Sequence, residues 1–98
     1  MKIYISGKIS GLSEKEYKYN FFECQDIINH KFGCEWINPL DIHPFLGVKS
    51  WFCYMVSDLL ELQKCTHIAM QKNWVDSKCA VVEYYFAKII FKLQIIWL

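Results

Sequence analysis

Glycine and proline are scarce in this chain, four and two residues out of 98, and no linker or low-complexity stretch interrupts it. Blocks of like charge are absent too. Eleven basic residues stand against ten acidic ones, a formal net charge of +1, so binding to a nucleic-acid polymer by general phosphate neutralisation is not expected. The five cysteines, Cys24, Cys34, Cys53, Cys65 and Cys79, include no CxxC pair. His30, His43 and His67 share no ligand spacing with them, so no metal site is expected. An odd set of scattered thiols fits small buried hydrophobes in a reducing, cytoplasmic setting. Met1-Lys2 leads at once into a strand-like segment, as in a chain without a signal peptide. The greasiest run, Ile89 to Leu98, is short and broken by Lys92 and Gln94. A membrane span needs about 20 apolar residues, so no membrane partner is expected.

What is present points to a packed domain. The composition is 54% hydrophobic, 17% aromatic and only 21% charged, which excludes a disordered chain. The length suits one domain over residues 1–98, and two halves would each be too small to bury a core. So much apolar surface on so small a body predicts a homodimer or higher homo-oligomer. The apolar third helix, with Val82, Tyr85, Phe86 and Ile89, is the expected contact face.

Periodicity gives the order of elements. Ile3-Tyr4-Ile5-Ser6 reads as a buried strand running into a glycine-containing turn, Gly7 to Gly11. Ser13, with Glu16 three residues on, forms a capping box before a helix whose apolar stripe is Tyr17, Phe21, Cys24 and Ile28. Gly33 ends it. Cys34 to Ile37 is a second strand closed by Asn38-Pro39, and residues 40–49 read as a loop. Ser50 is a candidate N-cap for a second helix bearing Met55, Leu59 and Leu62. Thr66 to Met70 is a third strand, Gln71 to Asp76 a polar loop, and Ser77 the N-cap of a third helix reaching about Phe91. The last residues form a fourth strand. This alternation predicts an α/β, three-layer Rossmann- or flavodoxin-like domain with a parallel sheet of about four strands. Ligands of such sheets bind at the carboxyl ends of the strands, where the strand order reverses.

Several residues carry chemistry, each with a plainer alternative. The turn Ser6-Gly7-Lys8-Ile9-Ser10-Gly11 brings backbone amides and hydroxyls close to a ligand, or is an ordinary tight turn; it is neither G-x-G-x-x-G nor a Walker loop. Ser77 offers a helix start to an anion or is a simple cap. Trp74 stacks on a planar ring or covers the core edge. Glu83 stands among Ala80, Val81, Val82, Tyr84, Tyr85, Phe86 and Ala87. It escapes to solvent or serves as a desolvated nucleophile or base. Asp58 and Glu61 form a wet helix face or provide one orienting carboxylate. Tyr4 packs the core or brings a phenol to the sheet edge.

Taken together, Met1 to Gly11, Asn38-Pro39, Trp51, Tyr54-Met55, Asp58-Leu59, Asn73-Trp74, Ser77, Ala80, Glu83 and Ala87 resemble a small bacterial and phage domain family of unassigned function. That family is similar to the nucleoside 2-deoxyribosyltransferases and deoxynucleoside monophosphate N-glycosidases. The resemblance implies a small nucleotide or nucleoside ligand and no cofactor. It implies Glu83 as the group attacking the anomeric carbon or stabilising the cation there. Asp58 would contact the sugar or protonate the leaving base, Tyr4 would pack near the nucleophile, and Ser77 would contact a 5′-phosphate. Ser6, Gly7, Lys8, Ile9, Gly11, Asn38 and Trp74 would border the ligand. Such a reaction needs a carboxylate facing the developing cation and a differently tuned acid for the departing base. The chain departs from the family pattern at Cys79, where glycine is usual, and at Thr66, where aspartate is usual. It also has Ile90-Phe91-Lys92 where a glycine is expected. A non-catalytic domain that senses or sequesters a nucleotide-derived signal is the alternative, and a purely structural domain the third.

Overall fold

A computed structural model describes residues 1–42 and 51–98. Its elements are β1 (Lys2–Ser6), α1 (Glu14–Lys31), β2 (Glu35–Ile37), α2 (Pro39–Ile42), α3 (Trp51–Leu62), β3 (His67–Met70), α4 (Lys78–Tyr85) and β4 (Gln94–Trp97). The strands form one sheet in the order β2-β1-β3-β4, with every pair parallel. The order reverses between β1 and β3, so the switch point lies where Ser6 pairs with Met70.

Side-chain alternation along β1 sorts the two faces. Ile3 and Ile5 pack with Phe21, Cys24 and Ile28 of α1 and with Ala69. Tyr4 turns the other way, into a core with Leu62, Cys65, Ile68, Met70, Ala80 and Ala87. The sheet is thus the middle of three layers, a Rossmann-like α/β arrangement. Cys24 and Cys65 are unbonded thiols inside these two cores, and burial pushes each up to about 11.

Local chemistry sets the ends of the helices. The Ser13 hydroxyl accepts from Glu16 N–H at 3.2 Å and begins α1. Gly33, at φ +57°, donates its N–H to Ile28 O and closes that helix in a conformation a side chain would oppose. Asn38 Oδ1 accepts from Leu40 N–H at 2.9 Å. With Pro39 at its first position, this makes a short helix at the start of the segment expected to be a loop. The expected cap at Ser50 lies outside the described residues. α4 does not run on evenly to Phe91: after Tyr85 it widens into a π-helical turn, Phe86–Ile90. Lys92 then takes φ +54°, the left-handed turn for which a glycine was expected. No helix among the described residues is long and apolar enough to cross a membrane.

Candidate functional site

The period of two that buries Ile3 and Ile5 against α1 sends Tyr4 and Ser6 together to the opposite face. There they meet Glu83, in the last turns of α4. The Tyr4 hydroxyl donates to Glu83 Oε2 at 2.5 Å, and the Ser6 hydroxyl donates to Oε1 at 2.8 Å. Glu83 is 3% exposed and Asp58, on α3, is 7% exposed, so neither carboxyl is on a solvated helix face. Glu61, one turn along, is instead partly exposed and reaches Lys64 Nζ at 3.4 Å.

Burial is the main force on both acids. It raises Glu83 to about 8, with the nearby Asp58 charge adding to the rise. The Tyr4 and Ser6 hydroxyls work in the other direction, because each donates to the ionised form. Burial alone raises Asp58 to about 7. Tyr4 is held well above its ordinary value, first by burial and then by the Glu83 and Asp58 charges, so its phenol stays a donor. A buried acid of this kind is neutral near pH 7 but becomes a strong base or nucleophile once ionised.

The remaining predicted residues divide by position. Ser77 caps α4, accepting from Ala80 N–H at 3.2 Å, and so fixes the start of the helix that carries Glu83. The Lys8 backbone N–H donates to Asn73 Oδ1 at 3.2 Å and ties the turn after β1 to the turn after β3. Gly7 is buried beneath the Gln71 side chain, and a Cβ there would lie 2.2 Å from Gln71 Cδ. Ile9 packs against the α1 core, whereas Gly11 is exposed at φ +86°. The Asn38 side chain is engaged in capping α2. Trp74 stands in an aromatic group with Tyr84 and Trp97, ring centroids 4.8 and 5.7 Å away, at the edge of the core. Cys79 is partly buried in the first turn of α4. Thr66 lies at the other end of the strands, where its hydroxyl accepts from Lys2 N–H.

Gln71 was not singled out in the sequence. A polar amide directly after an apolar strand, facing a glycine at the neighbouring strand end, was its only signal. It lines a cleft of about 310 Å³ on the α1 face, on the other side of the sheet from Glu83. Among the described residues no three His, Cys, Asp or Glu side chains gather to hold a metal ion.

The fold and site define a three-layer α/β domain with a buried carboxyl, bonded through both oxygens, at the switch point of a parallel sheet. Residues 1–97 match the family model described as Domain of unknown function (DUF4406), and the chain belongs to that family. No curated protein and no solved structure matches it.

Proposed function

We propose that this domain binds a nucleoside or nucleotide and cleaves its N-glycosidic bond, by hydrolysis or by transfer, with Glu83 as nucleophile. The observation that carries the reading is the Glu83 carboxyl, buried at the switch point and held at both oxygens by Tyr4 and Ser6. An apolar residue would pack there at lower cost, since a carboxylate loses several kcal/mol on leaving water. Two hydroxyls that fix its direction are what an attacking carboxylate requires.

In the proposed reaction ionised Glu83 attacks the anomeric carbon as the carbon–nitrogen bond breaks. The departing base keeps the bond electrons and takes a proton from Asp58. This leaves a glycosyl ester on Glu83. Asp58, now ionised, removes a proton from water or from a second base, which attacks the same carbon and frees Glu83. The reactive form of the pair carries one proton, on Asp58. Because Glu83, near 8, holds a proton more tightly than Asp58, near 7, this is the minor of the two singly protonated arrangements, and kcat/KM should still trace a bell with its maximum between those values.

Protonation also favours a second reading. At pH 7 an acid raised to about 8 is mostly neutral, which suits a domain that binds a nucleotide-derived signal without cleaving it. One experiment separates the two: incubation with a pooled panel of nucleosides and nucleoside monophosphates, with mass spectrometry of both free base and retained ligand. Base release that falls about 10³-fold or more in Glu83→Gln supports the glycosidase. A ligand retained intact by both proteins supports the binder, and neither result would overturn both. Assembly as a homodimer or higher homo-oligomer in a reducing cytoplasm belongs to the same proposal. It is supported by the exposed Tyr85 and Ile89 on the helix carrying Glu83 and its π-helical continuation, and by the buried, unbonded thiols.

A further inference from the structure

The two edges of the sheet are built differently. β2, at one end, is three residues long and begins on the exposed carboxylate of Glu35. β4, at the other end, lies in a stretch, Leu93 to Leu98, that contains neither a charge nor a proline. Open edges are normally blunted by charge, proline or a bulge, because their unpaired backbone groups otherwise recruit a strand.

The register shows which groups are unpaired. Gln94 N–H donates to Thr66 O and Leu98 N–H donates to Met70 O, so every second residue of β4 turns its backbone to β3. Ile95 and Trp97 turn theirs the other way, to the side where no strand lies among the described residues. Their side chains share the sheet face covered by α4. Ile95 packs on the Tyr4 core, and Trp97 joins Trp74 and Tyr84 while staying 58% exposed. Ile96 points to the α1 face.

This pattern is complementary to itself. In an antiparallel pair centred on Ile96, Ile95 of each copy stands opposite Trp97 of the other, and these are the residues with outward N–H and C=O groups. Each opposed couple can exchange both backbone hydrogen bonds. The exposed indole then lies against a β-branched side chain, a favoured cross-strand neighbour, and does so twice. No like charges meet, since Leu93 to Leu98 have none and the two Lys92 residues fall at opposite ends of the paired strands. A two-fold axis through the pair keeps like faces together, so both α4 helices, with the exposed Tyr85, lie on one side of the joined sheet.

We infer that β4 pairs antiparallel with β4 of a second copy of this chain, about a two-fold axis at Ile96, joining two four-stranded sheets into one. This gives the assembly proposed above its contact, and it does not rest on the chemistry at Glu83.

The test is amide hydrogen exchange in the ¹⁵N-labelled native chain, with mass followed by light scattering. At high micromolar concentration the Ile95 and Trp97 amides should be protected, and dilution should release them as the mass falls. Gln94 and Ile96, bonded to β3, should stay protected throughout. Trp97→Lys places a charge in the seam and should weaken association about tenfold or more. Ile96→Cys should link two chains through a 96–96 disulfide in air, because directly opposed residues of this kind hold their Cα atoms about 4.5 Å apart. The native chain in air is the control, and this cross-link decides the matter if Trp97→Lys does not fold. Glu83→Gln should leave association unchanged, so failure of the pairing and failure of the glycosidase are read separately. An assembly in which the Ile95 and Trp97 amides exchange freely would overturn the inference, leaving another surface as the contact. So would protection of both amides in a chain of single mass, the sign that a segment of the same chain covers the edge.

Discussion

Removing the Tyr4 hydroxyl takes from Glu83 one of the two donors that favour its ionised form. Tyr4→Phe should therefore raise the Glu83 pKa further and move the alkaline limb of the kcat/KM profile, which the higher of the two values sets, to higher pH. A hydrogen bond to a charged group contributes about 1.5–3 kcal/mol, so kcat/KM should fall roughly 10- to 150-fold, with Ser6→Ala acting in the same direction. An unshifted alkaline limb in both variants would mean that the hydroxyls do not tune the carboxyl. Stability gives a second measure. Folded Glu83 titrates near 8 against an ordinary 4.5, so between those values the folded chain holds the extra proton and stability falls as pH rises. The slope is at most about 1.4 kcal/mol per pH unit for one proton. Asp58 adds a fall of the same sign between its ordinary 3.8 and about 7. Urea unfolding at pH 5, 7 and 9 should show Glu83→Gln losing less stability across this range than the native chain.

At the scale of elements, α4 and its continuation decide where Glu83 stands. Ser77→Ala removes the cap and should cost about 1 kcal/mol, read as a lower urea midpoint with an unchanged slope. Lys92 holds φ +54° at the far end, and Lys92→Gly should stabilise by about 0.5–1 kcal/mol once glycine's greater unfolded freedom is set against the relieved strain. Much of this was legible in the residues. Ser13 and Ser77 announced their helices, and the apolar runs of β1 and β3 announced buried parallel strands. The short helix at Pro39 was missed because Asn38-Pro39 also reads as the end of a strand. The widened turn after Tyr85 was missed because one apolar residue in excess leaves a helical pattern looking continuous. Glu83 and Asp58 were candidates by type, but burial depends on neighbours distant in sequence, which periodicity does not report. Gln71 stayed hidden for the same reason, its environment being set by Gly7, just past the end of β1.

At the scale of the whole molecule, Tyr85, Ile89, Ile90 and Trp97 are exposed apolar residues that the proposed homodimer or higher homo-oligomer would cover. Light scattering at micromolar concentration should give at least twice the chain mass of 11.7 kDa, and Ile89→Glu should return it to one. A native chain already at one mass would remove the assembly. The position of β1 has a broader consequence. Tyr4 and Ser6 are separated from Glu83 by 79 and 77 residues, and β1 pairs with neighbours on both sides. Contacts that close such long loops are entropically late, so folding should be governed by topology and slower than in a helical bundle of equal length. The buried carboxyl is then assembled only in the fully folded chain, and any species in which β3 or α4 has come away has neither the neutral acid nor the activity proposed for it.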